Sequence, residues 1–126
     1  ILYQQSVGGG VALSLYSVAA KTTTPLPIKT MVDKCAFNFN SLLVYCAVPE
    51  ELPSASYPDG WYRGEVAFND NAVWEIDAAS GGAKPIFLLG GVGPSSLDTI
   101  NLNFDSQNKL LFTDKTTATL WWQQGF

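Results

Sequence analysis

The sequence contains no histidine. That absence removes the side chain most often used as a general base near neutral pH, and it excludes Ser-His-Asp and Cys-His nucleophilic arrangements. Basic residues are scarce too: seven Lys and Arg against eleven Asp and Glu leave a net charge of −4 over 126 residues. Nucleic-acid backbones are held by clustered Lys and Arg. Here the basic residues are spread from Lys21 to Lys115, so no nucleic-acid partner is expected and anionic membranes are disfavoured. Long apolar runs are also missing. The longest, such as Ile86 to Leu89, fall far short of the roughly 20 residues that span a bilayer, so no direct membrane insertion is expected. No stretch carries a sustained 3.6-residue apolar period with capping signals, which argues against long helices. With two Cys and no His, a zinc ligand set would be half empty; no metal and no cofactor is expected.

What is present is apolar and strand-forming. A hydrophobic content of 47% excludes a disordered chain. The stretch Val32 to Ser41, followed by Leu42 to Cys46, reads as a β-hairpin that returns later in the chain. Val32, Asp33, Asn38, Phe39, Asn40 and Ser41 recur as Leu97, Asp98, Asn103, Phe104, Asp105 and Ser106, and Val44-Tyr45-Cys46 recurs as Leu111-Phe112-Thr113. A second phrase, Leu15-Tyr16-Ser17-Val18, returns as Val73-Trp74-Glu75-Ile76 and begins again at Leu120-Trp121. Such recurrence of short strands marks a repeat architecture whose units bury their apolar faces against one another.

Taken in order, strands are expected at Ile1–Gln5 and Val11–Val18 around the turn Gly8-Gly9-Gly10, then a polar connector through Pro25 and Pro27. The hairpin follows, then the long irregular stretch Pro49–Gly60. Such loops are uncommon unless functional. Trp61–Phe68 is expected as the third strand of this unit and Ala72–Asp77 as the fourth, with a further strand at Leu97–Phe104. The glycine-rich Gly90-Gly91-Val92-Gly93-Pro94 lacks a following helix and so does not read as a phosphate loop. The fold expected is all-β, with four-stranded antiparallel meander units: the end of one over residues 1–31, a complete one over 32–96 and a partial one over 97–126.

If Asn40-Ser41 forms a two-residue turn, Cys35 lies opposite Cys46 and a cross-strand disulfide is reachable. That register would make the two a hydrogen-bonded pair, less suited to a disulfide, unless the turn is longer. The alternative is two buried free thiols, with redox compartment deciding between them. The chain opens on Ile1 without Met or a charged-then-apolar leader, which suggests a mature form or part of a longer chain.

The phrase from Asp98 to Trp121, together with Val73 to Gly81 and the stretches Lys29–Pro49 and Tyr57–Tyr62, resembles blades of TolB-like β-propellers, the WD-repeat-like propellers of exported bacterial proteins. The resemblance implies a partial β-propeller of about two and a half blades where closed rings have four to eight. It also implies export to the periplasm, cell surface or exterior, and completion by further blades from a parent chain or from other copies. Its motifs are blade signatures, and no catalytic residue is carried over from them.

Trp74 and Trp121 hold equivalent positions and are expected to pack between units. Tyr57, Asp59, Trp61, Tyr62 and Arg63, beside the long loop, combine aromatic faces with hydrogen-bonding groups, the composition of a recognition patch; the competing reading is an aromatic clamp that fastens the loop. Glu50, Glu51, Asp59, Glu65, Asp70 and Asp77 are available for paired-carboxylate hydrolysis, but turn and strand-end carboxylates ordinarily satisfy local backbone groups. Asp33 and Asp98 are expected to cap unit turns in that way. The function expected is non-catalytic recognition of a protein or glycan. The alternative is a lectin that completes its ring by homo-oligomerisation, and a carboxylate-dependent glycoside hydrolase ranks last.

Overall fold

The computed structural model describes residues 1–38, 41–89 and 97–123. Among these residues ten strands form three antiparallel sheets. The first contains β1 (Leu2–Val7), β2 (Gly10–Ser17) and β3 (Thr22–Pro25); the second β4 (Cys35–Asn38), β5 (Leu43–Pro49), β6 (Asp70–Asp77) and β7 (Ala83–Leu88); the third β8 (Thr99–Phe104), β9 (Leu110–Asp114) and β10 (Thr119–Gln123). Within every sheet, strands adjacent in the chain are adjacent in space. The protein is therefore all-β, built of antiparallel meanders in a partial, propeller-like arrangement.

Local chemistry explains the connections. Val7 pairs with Gly10, and Gly8 and Gly9 between them both have positive φ, as a two-residue turn matched to strand twist requires. Proline falls where no ladder donor is needed: Pro25 ends β3 and Pro85 lies in β7, and both strands are sheet edges.

The second sheet is buried on both faces, and the two-residue period of its strands allots side chains to each. Val44, Cys46 and Ile76 pack with Leu13, Leu15 and Ile28. Tyr45, Ala47 and Val73 pack with Leu102, Leu110 and Phe112 on the opposite side. Full burial of an apolar side chain of this size stabilises by about 1.5–3 kcal/mol, so the sheet-to-sheet contacts are the main source of cohesion. The recurring phrase takes equivalent directions in each sheet. Trp74 leans on the cluster shared with the first sheet and Trp121 on the cluster shared with the second. Leu15 and Val73 point the other way, each into the cluster shared with the following sheet.

The hairpin repeat is real but not uniform. Cys46 pairs with Trp74 and Phe112 with the equivalent Trp121, so Cys46 corresponds to Phe112 rather than to the expected Thr113, which pairs with Ile100, and the expected equivalence of Asp33 and Asp98 does not hold. Beyond Ile100 the register shifts, with Asn101 at φ 53°. Past this bulge Phe104 pairs with Leu110 as Phe37 pairs with Val44, so Phe104 corresponds to Phe37 rather than to the expected Phe39. A one-residue bulge is invisible to residue matching but moves every later side chain.

Cys35 and Cys46 form a disulfide, with Cα atoms 4.1 Å apart. That spacing is typical of a non-hydrogen-bonded antiparallel pair. The last ladder pair among the described residues is Asn38 with Leu43. Asn40 of the expected Asn40-Ser41 turn, Phe39 before it and the glycine-rich Gly90–Pro94 lie outside the described residues.

The strand expected at Trp61–Phe68 is absent. Asp59–Tyr62 is a single helical turn, α1, and the segment after it is irregular up to β6. Consequently Asp70–Asp77 is the third strand of its sheet, and Ala83–Leu88, containing the apolar run from Ile86, is the fourth.

Candidate functional site

In the third sheet, β9 turns directly into β10 through Lys115–Ala118; between β5 and β6 the chain instead inserts residues 50–69. This insertion touches all three sheets. Ala55 N donates to Gly9 O at 3.0 Å and the Ser6 hydroxyl to Tyr57 O, and Glu50 N donates to Asn69 O at 3.0 Å across its base. The α1 turn ends in a glycine lock: Gly64, at φ +76°, donates to Trp61 O and Glu65 N donates to Gly60 O. Those paired bonds, with glycine in the left-handed region, form a Schellman motif. Gly64, placed after Pro58-Asp59, is the sequence signal for a helical turn that strand propensity at Trp61-Tyr62 obscured.

Beneath α1 lies a charged cluster sealed from water. Lys34 Nζ, wholly buried, donates to Asp70 Oδ2 at 2.7 Å, Asp98 Oδ1 at 2.5 Å and Thr99 O at 2.8 Å. All three ammonium hydrogens thus have acceptors. Asp98 also accepts from Trp61 Nε1 at 3.0 Å and Phe68 N at 3.1 Å. Asp70 Oδ2 accepts from Thr99 N at 2.6 Å and the Thr99 hydroxyl at 2.9 Å, while Asp70 Oδ1 has no partner. Burial pushes the Asp70 carboxyl above its ordinary value and outweighs the pull of Lys34 and Thr99 in the other direction. Two ammonium groups lie near the Trp61 ring, Lys34 Nζ 5.2 Å and Lys115 Nζ 5.1 Å from its centroid, and Lys115 also donates to Trp61 O at 2.8 Å.

The residues expected to form a recognition patch divide into two groups. Tyr57 and Trp61 face inward, packed with Val11, Met31 and Phe68; the Tyr57 hydroxyl donates to Pro53 O. Asp59, Tyr62 and Arg63 lie on the surface. Tyr62 is 51% exposed, and its hydroxyl donates to both carboxylate oxygens of Asp33 at 3.1 Å. Partial burial and then this carboxylate raise the phenol above its ordinary value. Arg63 pairs with Glu65 at 2.9 Å, an exposed ion pair of little energetic weight.

Asp98 does not cap a turn, contrary to expectation. Its carboxylate is buried against Lys34 and Trp61, and Asp33 accepts from the Tyr62 hydroxyl. The sequence reading also passed over Lys34. Lys34 ends a 3-10 turn, Val32–Lys34, immediately before β4, where strand periodicity does not report burial. The turn role does hold at Asp77, whose Oδ1 accepts from Ala79 N at 2.8 Å, and at Asp114, which accepts from Asp98 N at 3.1 Å and the Thr117 hydroxyl at 2.7 Å. Burial raises the Asp114 carboxyl, but the hydrogen bonds from Thr117, Asp98 and Thr116 outweigh it and hold the group below its ordinary value.

A cleft of about 330 Å³ between the connector after β3, the start of the 50–69 insertion and the second sheet is lined mainly by Pro27, Ile28, Val48, Leu52 and Trp74, with Lys29 and Glu50 also lining it. Among the described residues no group of three or more Cys, Asp or Glu is placed to hold a metal ion, and no helix is long and apolar enough to cross a membrane.

Fold and site together define an all-β protein of stacked antiparallel meanders, with one long insertion fastened over a buried Lys-Asp-Asp cluster. The chain matches no family model, no curated protein and no solved structure.

Proposed function

We propose that the chain is a non-catalytic, exported recognition module of the TolB-like propeller type, and that the surface of the 50–69 insertion is its contact face for a protein or glycan. The observation that carries this reading is the contrast across α1. Trp61 is 1% exposed and hydrogen-bonded inside, whereas its neighbour Tyr62 is 51% exposed. An exposed aromatic on a rigid base, rimmed by Asp59, Arg63, Glu65 and Asp33, loses little side-chain entropy on binding and offers both an apolar face and polar partners. The disulfide supports an oxidising compartment.

The test is binding of the 126-residue chain to an oligosaccharide array and to a displayed peptide library. Replacing Tyr62 and Arg63 by Ala should weaken any selected interaction by about tenfold or more, the effect of losing one anchor. Unchanged binding would end the reading. In parallel, Asp59→Asn with Glu65→Gln should leave unaltered any hydrolysis of chromogenic glycosides, and loss of such an activity would instead support carboxylate catalysis.

A further inference from the structure

The geometry points to a cross-link that the chain makes within itself: an amide bond between Lys34 Nζ and the side-chain carboxyl of Asp70, with Asp98 as the base and the Thr99 N–H and O–H as oxyanion donors. It forms once per molecule, goes beyond the recognition reading and does not depend on it.

The buried cluster is arranged for this chemistry and not only for holding charge. Lys34 Nζ lies 2.7 Å from Asp70 Oδ2 and 2.5 Å from Asp98 Oδ1, so nucleophile, acyl group and base are already together. Asp70 Oδ2 takes both donors of one residue, Thr99 N at 2.6 Å and the Thr99 hydroxyl at 2.9 Å, an arrangement that stabilises an oxyanion. Asp70 Oδ1 has no partner among the described residues. One ammonium cannot balance two buried carboxylates. Asp70 is the carboxyl that burial raises, so it carries the proton, and its Oδ1 is the oxygen free to leave as water. Asp98 is the carboxylate, with Trp61 Nε1 and Phe68 N donating to it. The Phe68 and Trp61 ring centroids lie 4.8 Å and 5.2 Å from Nζ, and Lys34 and Asp70 are 0% and 3% exposed. Bulk water is therefore kept from the acyl carbon.

The step balances within these groups. Asp98 takes one proton from the Lys34 ammonium, and the neutral amine adds through its lone pair to Asp70 Cγ while negative charge develops on Oδ2. Collapse of the adduct breaks the Cγ–Oδ1 bond. The hydroxyl leaves with the surplus proton of the nitrogen as water, and Asp98 keeps the proton it took. Nothing is oxidised or reduced, and a buried ion pair is replaced by an amide and a neutral acid, which removes the cost of desolvating both charges. The bond joins positions 36 apart in sequence. Lys34 immediately precedes β4 and Asp70 opens β6, the strands on either side of β5, so the closed loop contains the whole 50–69 insertion. In the freshly folded chain the three groups are still separate, and unfolding of that form reports their ion pairing alone.

The experiment is intact-mass measurement of the folded 126-residue chain, fresh and after a week at neutral pH, followed by tryptic digestion under reducing conditions. The aged chain is expected to have lost one water, with the peptide containing Lys34 joined to the peptide containing Asp70 and no cleavage after Lys34. Asp98→Asn, which lacks the base, and Asp70→Ala, which lacks the acyl group, should form no such cross-link over the same week. Circular dichroism checks that both variants fold, and the wild-type masses decide the matter even where a variant does not. An aged wild type of unchanged mass would overturn the inference. So would a water lost within a single peptide, as in ring closure at Asp59-Gly60, or the same cross-link appearing in Asp98→Asn.

Discussion

Lys34 Nζ and Asp98 Oδ1 meet at 2.5 Å in the interior although 64 residues separate them along the chain. One residue precedes the second sheet and the other precedes the third, so the bond ties two sheets together at the foot of the insertion. Removing the cation would leave two buried carboxylates uncompensated. Lys34→Met is therefore expected to cost about 3–5 kcal/mol in urea unfolding, and Asp98→Asn a comparable amount, because Trp61 Nε1 and Lys34 lose a charged acceptor. Asp70→Asn should be far milder, since Asp70 Oδ1 has no partner to lose.

Asp70 and Asp114 should give opposite pH dependences. A carboxyl whose folded pKa is raised contributes its stability below its unfolded value and loses it as pH rises through the folded one; for Asp70 burial sets that direction. Asp70→Asn should therefore gain on wild type as pH rises above the ordinary carboxyl value of 3.8. A lowered carboxyl behaves in reverse. Asp114→Asn should be less stable than wild type at neutral pH, and the two should converge as the solution is acidified through the native Asp114 pKa, below the ordinary 3.8. Unfolding curves across pH 3–7 check both signs.

The disulfide closes a loop between positions 11 apart in sequence. Reduction, or replacement of both cysteines by Ser, is expected to cost about 2–3 kcal/mol on the loop-entropy scale. Non-reducing mass spectrometry should join the Cys35 and Cys46 peptides with a loss of two hydrogens, and two alkylatable thiols in the native protein would contradict this.

Three hairpins share one turn. Lys21 N bonds Ser17 O, Gly81 N bonds Asp77 O and Ala118 N bonds Asp114 O, and the donor residue has positive φ in each. At Gly81 an added Cβ would lie 2.7 Å from Thr24 Cγ2. Gly81→Ala is thus expected to destabilise by at least about 1–2 kcal/mol. Ala118→Gly relieves the same strain and should stabilise by about 0.5–1 kcal/mol after the added unfolded-state entropy. Thermal melts of the two variants should move in opposite directions.

Much of this was legible along the chain. The repeated phrases, period-two alternation and glycine turns specify all-β meanders, because strand faces and turn geometry depend on neighbours a few residues away. The facing of Cys35 and Cys46 was legible for the same reason, since a hairpin ladder carries register across its turn. The helical turn at Trp61 had a local signal in Gly64, outweighed by strand propensity, whereas the burial of its ring against Asp98 and Lys115 is set by distant contacts.

The sequence by itself determined the sheets, their turns and the alternation that divides their faces. Only the tertiary structure decided that Lys34 is buried, that Asp98 serves it rather than a turn, and that Trp61 points inward while Tyr62 points out. The physical reason is range. Backbone geometry and side-chain period act over one hairpin, whereas the desolvation of a charge is settled by whichever distant groups surround it.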